Sequence, residues 1–455
     1  MKATLTMKSL FRIRRHINYL TIHLRKTVLL IPPRTLLVLI CILIGISAGL
    51  SAFLLKNVLF YIHQFIHYIV NRSITNILLF GLPTFGIVLT VLYIRFFHKN
   101  GLHKGVAPIL EAMQQQNAYI PPDHMYGHIF SSALTIGFGG SAGFEAPIVA
   151  TGSAIGSNIA RYFKFTDEDR IILLSSGAAA GIAAVFNAPI AGVLFAIEVL
   201  LVGMPVSAFI PLLISSATGA IVSNLLIPQR LFVLITNPWH VKNIPIYILI
   251  GLISGFYSAF IIRQVIQISH AFQKIKNHWT RVIIGGILLS VLIFLFPSLY
   301  GEGYFSIQAM FNQEKITLIN PSLFTYDHII ISFGLMVVLL FLKIYATSIT
   351  IGAGGNGGIF APSLYMGALL GYFIATVINT LGGLDLNVVN FTVAGMAGVL
   401  AGVLKTPLTA LFLIAEITGG YALFIPLMLV IATSYFISSI FEHKSIYAKE
   451  LEMRT

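Results

Sequence analysis

The chain has 455 residues, 57% of them hydrophobic and only 9% charged, with a formal net charge of +13. Soluble domains carry about 25% charged residues, so the composition excludes a string of soluble domains and points to one polytopic membrane domain. The single cysteine, Cys41, excludes an intrachain disulfide and any cysteine-based metal site.

In chain order, the first feature is a basic segment over residues 1–34. It holds Lys2, Lys8, Arg12, Arg14, Arg15, Arg25, Lys26 and Arg34 and no acid; the first acidic residue of the chain is Glu111. Basic residues ahead of a first span predict a cytoplasmic N-terminus, and no nucleic-acid partner is needed to explain them. The segment lacks the layout and cleavage site of a signal peptide, so the first span is expected to be retained. Charge-free runs follow at 35–55, 73–94, 171–197, 199–229, 243–262, 282–301, 344–384, 386–404 and 417–441. Most reach the roughly 20 apolar residues that a spanning helix needs, and the 344–384 run is long enough for two. They predict about ten to twelve membrane segments, some broken or re-entrant where Gly and Pro interrupt them. The transmembrane domain is therefore placed at 35–441, its halves at about 35–230 and 243–441, with a short tail at 442–455. The polar "FQKIKNHWTR" (272–281) reads as a loop between halves, and 301–327 as an extramembrane connection. The 13 histidines are scattered. His63 and His67, at i and i+4, come nearest to a ligand pair and read as packed or interfacial residues. No metal is expected.

An internal repeat runs through the chain. "GAAAGIAAVFNAPIAGVLFAIE" (177–198) matches "GMAGVLAGVLKTPLTALFLIAE" (395–416). Gly177 to Pro189 is twelve residues and so is Gly395 to Pro407; Pro189 to Glu198 is nine and so is Pro407 to Glu416. Upstream, "GFEAP" (143–147) is echoed by "GIFAP" (358–362), 42 and 45 residues before the matched prolines. Repeated halves with broken helices are a transporter and channel signature, with the site where helix termini meet near the midplane. Helix N-termini present free N–H groups and a partial positive charge, so they hold anions without a full cation. A cation site would show several acids among the spans; the clear candidates here are Glu145, Glu198 and Glu416. The breaks are therefore expected to converge on an anion, not a cation. An intramembrane enzyme lacks support: there is no His-Glu-x-x-His, no nucleophile elbow and no pair of acids at helical spacing within a span.

These pieces, with "GNGGIFAPSLYMGALLG" (355–371) and "HKSIY" (443–447), resemble the CLC family of chloride channels and chloride/proton antiporters. The resemblance runs from about residue 100 to the end. It implies an all-α homodimer in the cell (inner) membrane whose halves are inverted in the bilayer, each subunit with its own anion pathway. Its partners are lipid, small anions and a second copy; chloride is substrate, and no cofactor is implied.

Glu145 matches the family's gating and proton-carrying glutamate. Gly143, Phe144 and Ala146 flank it, and Gly358, Ile359, Phe360 and Ala361 match the second anion-binding break. Tyr447 matches the tyrosine reaching the inner side of the anion, and Glu198 a structural glutamate that its repeat mate Glu416 supports.

Three departures stand out. The family's Gly-Ser-Gly-Ile-Pro motif falls where this chain has "HKGVA" (103–107). Gly105 and Val106 fit, but Lys104 replaces the serine; it either donates to the anion or turns toward water. Phe144 replaces the usual arginine before the gate, and Ala146 a glycine. Val199 occupies the inner position where many antiporters carry a second glutamate, which favours channel-like or loosely coupled flux. Full antiport, and selectivity for fluoride or nitrate, stay open at this stage.

Overall fold

The computed structural model describes residues 32–72, 77–115, 118–201, 208–226, 238–312, 314, 318–319 and 329–454. Nearly all of the basic 1–34 segment lies outside them, as does the side chain of His67. The described chain is helical, with the only backbone pairing an isolated bridge between Gly143 and Gly358. Among the described residues, nine helices are long and apolar enough to cross a membrane, and three shorter apolar ones accompany them.

The first half comprises α1 (Pro33–Arg72), α2 (Ile77–Phe97), α3 (Ala107–Gln115), α4 (His124–Gly137), α5 (Glu145–Tyr162), α6 (Asp167–Phe186), α7 (Pro189–Phe195, continued by a π turn over Ala196–Leu200) and α8 (Phe209–Leu226). The second half repeats it as α9 (Ile244–Gln273), α10 (His278–Leu295), α11 (Tyr304–Phe311), α12 (Ile329–Gly352), α13 (Phe360–Gly382), α14 (Val388–Leu404), α15 (Pro407–Ile417) and α16 (Phe424–Phe441). A last short helix, α17 (Ile446–Glu452), follows. The "FQKIKNHWTR" stretch therefore joins α9 to α10 inside the second half rather than separating the halves. Within 301–327, α11 is no extramembrane connection: Tyr304, Ile307 and Met310 are buried in the core.

Packing follows the repeat. α5 lies on α6 as α13 lies on α14; α1 lies on α8 as α9 lies on α16; α7 meets α15. The small residues of the repeated motif let backbones touch, as at many membrane helix contacts. A Cβ on Gly177 would fall 1.9 Å from the Gly152 carbonyl oxygen, and one on Gly395 would fall 2.2 Å from that of Gly367. Hydrogen bonds repeat too: Ser223 donates to Ala184 O at 2.6 Å, and Ser438 donates to Gly402 O at 2.9 Å.

The breaks have local causes. α6 ends at Asn187 (φ 54°) and α14 at Lys405 (φ 60°), both left-handed; Pro189 and Pro407 then open the next helices. A left-handed residue satisfies the ending carbonyls, and proline suits a first helical position whose N–H has no partner in the helix. Each break thus leaves a helix N-terminus with free N–H groups.

Candidate functional site

Two pairs of helix starts cross between the halves, the first buried and the second half-exposed. At the first, the chains before α5 and α13 run antiparallel. The Gly143 N–H donates to Gly358 O at 2.8 Å and the Gly358 N–H to Gly143 O at 2.7 Å. These two amides engage each other, which differs from the expectation that they hold an anion; their part is to join the halves. Both must be glycine for the approach. A Cβ on Gly358 would meet that of Ala146 at 2.6 Å, and one on Gly143 would meet that of Ala361 at 2.9 Å.

Glu145 opens α5 and is 1% exposed. Its Oε2 faces the first turn of α13, accepting from the Ala361 N–H at 3.4 Å. Its Oε1 accepts from the Tyr304 hydroxyl. The carboxylate thus stands where the α13 N-terminus would hold a free anion. Around it, the Phe144 ring lies edge-on to Tyr304 at 6.0 Å, and Phe360 lies against Phe186 at 5.5 Å and Phe195 at 6.4 Å. Phe144, Ala146, Ile359, Phe360 and Ala361 are all buried at this junction.

One side of the junction opens into a cavity of about 300 Å3. Ala146, Gly358 and Ile359 form its inner end with Tyr447, which α17 holds buried. Lys104 and Gly105 line the cavity as well; Val106 does not, being fully buried where its carbonyl starts α3 by accepting from Ile109 N at 3.0 Å. The Lys104 ammonium donates to Gly354 O, just past the end of α12. A cation at a helix C-terminus is favoured by the helix dipole, so Lys104 is tethered at the cavity wall.

The second crossing is reciprocal. Glu198, in the π turn after α7, accepts from Leu408 N at 2.9 Å, Thr409 N at 2.8 Å and Thr409 Oγ1 at 2.6 Å. Glu416, in α15, accepts from Ile190 N at 3.0 Å and Ala191 N at 2.8 Å. Each repeat glutamate caps the N-terminus of the other half's helix. Val199, in the same π turn, packs partly buried against the core.

Sequence reasoning passed over Tyr304 and the residues that place it. Lys343, fully buried in α12, donates to Leu299 O at 3.2 Å and Gly301 O at 2.9 Å and stands 5.0 Å over the Tyr365 ring. It secures the turn whose glycines, Gly301 (φ 60°) and Gly303 (φ 95°), aim Tyr304 at Glu145. The readable signal is "GEGY" itself, since two left-handed glycines mark a built turn rather than a loose connection.

Inverted halves, broken helices and the buried Glu145 carboxylate facing the helix start of the other half define a membrane transport protein of the channel-and-antiporter type. The family model described as "Voltage gated chloride channel" matches residues 85–439, and the chain belongs to that family, the CLC proteins. Among relatives, it is 30% identical over 335 residues to the H(+)/Cl(-) exchange transporter ClcA of Vibrio parahaemolyticus, covering 71% of this chain and 68% of that one. It is 27% identical over 383 residues to the putative chloride channel protein ClcB-like of Ralstonia nicotianae, covering 81% and 84%. Its fold matches a slow cyanobacterial Cl-/H+ antiporter with a TM-score of 0.78 at 22% identity, over 93% of this chain and 98% of that one. The protein is a multi-pass membrane protein of an anion-transporting family.

Proposed function

We propose that the protein carries chloride or a similar small anion across the cell membrane by a pathway in which Glu145 competes with the anion for the start of α13. The observation that carries this reading is the Glu145 carboxylate facing the Ala361 N–H, one side of the junction opening to the Tyr447 cavity. An ionised carboxylate buried among apolar residues is costly unless donors meet it. The helix start and Tyr304 are such donors. Protonating Glu145 removes the charge that those donors hold, the side chain lets go, and an anion takes its place. Acid therefore promotes anion entry. Val199 favours channel-like or loosely coupled flux, because the inner side offers no carboxylate at that position. Full antiport is the second reading, supported by relatives named as exchangers. Membership of the family supports transport without catalysis and assembly as a homodimer. Lys104 at the cavity wall keeps fluoride and nitrate as alternative substrates.

The test is purified protein in liposomes with a chloride gradient, recording chloride and pH together. Chloride flux that rises on acidification supports the reading, and Glu145→Gln should remove both that rise and any proton coupling. Opposed proton pumping at fixed stoichiometry would establish antiport and overturn the loosely coupled preference. No anion flux under any gradient would refute transport itself.

A further inference from the structure

The cavity below the junction is more basic than its walls require. Lys104, Arg281 and Arg454 line it with His103 and His278, against a single carboxylate, Glu450. The cations come from three places: the segment before α3, the first turn of α10 and the end of α17. They form a continuous arc. Lys104 donates to Gly354 O; a Cβ on Gly354 would lie 3.8 Å from His278 Cε1; Arg281 donates to His278 Nδ1 at 2.7 Å; Arg454 donates to Lys104 O at 3.3 Å.

Their charges are poorly answered. Arg454 has Glu111 at 4.0 Å, but neither Lys104 nor Arg281 forms an ion pair among the described residues. The Arg281 Nε is buried without a hydrogen-bond partner. Burial, and then the nearby Arg281, pull the Lys104 ammonium down to about 7. Like charges held together in this way are relieved by an anion placed between them. Two guanidinium forks and an ammonium match the oxygens of a tetrahedral oxyanion better than a bare halide, since forks give paired, directional bonds. Glu111 answers Arg454 and Glu450 is the one carboxylate on the wall, so the charge left without an ion pair is that of Lys104 and Arg281, which an oxyanion between them meets.

We propose that this cavity is a binding site for a free divalent oxyanion, of sulfate or phosphate size, held by Lys104, Arg281 and Arg454, and that the bound ion obstructs the mouth leading to Tyr447 and Ile359. Its effect on flux rests on the transport reading above; binding itself does not.

Two measurements test it. Calorimetry of the detergent-purified protein, free of lipid phosphate, should show sulfate binding. Arg281→Gln and Lys104→Ser should each weaken it by about tenfold or more, the loss expected of one charge-assisted hydrogen bond. Affinity should also fall from about pH 6 to about pH 8 as Lys104 sheds its proton, the Glu450 carboxylate on the same wall acting in the same direction. In liposomes, millimolar sulfate on both faces should slow chloride flux several-fold, each variant being normalised to its own sulfate-free rate. Gluconate at matched ionic strength should not slow it, and both variants should resist sulfate. No sulfate binding, equal binding by wild type and both variants, or equal slowing by gluconate would each overturn the proposal. Absence of any chloride flux would sink the transport reading while calorimetry still decides the site.

Discussion

The two crossings between the halves use the same part, a helix start met by a carboxylate from the other half, and end in opposite outcomes. At α7 and α15 each half supplies a glutamate to the other, so Glu198 and Glu416 answer both N-termini with bonds of 2.6–3.0 Å. At α5 and α13 only one half supplies a carboxylate, because "GFEAP" has Glu145 where "GIFAP" has Phe360. Its bond to Ala361 N is longer, at 3.4 Å. Symmetric acids are fully engaged and structural. The unmatched acid meets the opposite helix start through one N–H only, its other partner being the Tyr304 hydroxyl, and the site it fills is one that an ion can take from it.

The sharpest test makes the same change at both crossings. Glu145→Gln should abolish acid dependence of flux while leaving the melting temperature in detergent close to wild type. Glu416→Gln should do the reverse: flux per folded protein persists, and stability falls by about 1.5–3 kcal/mol, as one charge-assisted bond becomes neutral and the other is lost because the amide NH2 cannot accept from a backbone N–H. If both variants lose stability alike, the crossings do not differ in kind and the contrast fails.

A smaller effect is expected at Tyr304. Tyr304→Phe keeps the ring against Phe144 but removes the hydroxyl on Glu145. Losing a hydrogen bond to a charged group costs about 1.5–3 kcal/mol, here taken from the seated carboxylate rather than from the fold. Flux at neutral pH should rise about tenfold or more relative to wild type, with the acid dependence displaced toward higher pH. Unchanged flux and unchanged pH dependence would show that Tyr304 does not hold the gate.

Much of this was legible in the sequence. The spacing of the repeat announced two matched halves, the resemblance to the CLC family implied their inversion, and the Gly-x-x-Ala-Pro breaks located Glu145 because glycine and proline are what a buried helix start needs. Glu198 and Glu416 were readable as helix-end residues, but not as caps for each other's half, since that pairing spans more than two hundred residues. Span boundaries were the weakest part, and for one reason. Charge-free runs stopped at Lys56, Arg263 and Lys343, each of which lies inside a helix. Lys56 donates to Ala184 O and Val185 O in the last turn of α6, Arg263 to Glu442 and Phe441 O at the end of α16, and Lys343 to the 299–301 turn. Those carbonyls make each cation tolerable in an apolar helix, and no local pattern reveals them. The gate's hydroxyl was missed likewise, because α11 reads as mixed-character connection until Lys343 and two glycines fix its turn.

Lys56 also breaks the symmetry, and it gives the finest test of the comparison. It stands eleven residues after Gly45 in α1, as Ile262 stands eleven after Gly251 in α9. Gly45 and Gly251 approach matching partners, Ser215 O in α8 and Val430 O in α16. The second half thus manages with isoleucine where the first has a lysine on the α6 carbonyls. Ser223 already serves Ala184 O, as Ser438 serves Gly402 O, so removing Lys56 leaves only Val185 O without a donor. That costs about 1 kcal/mol, partly offset because an ammonium no longer has to be desolvated. Lys56→Ile should therefore change stability by less than about 1 kcal/mol. Adding Ser223→Ala should cost more than the two single changes together, since Ala184 O then loses its last side-chain donor. An additive double variant would mean that the lysine and the serine do not share that carbonyl's load, and that the two halves end these helices by unrelated means.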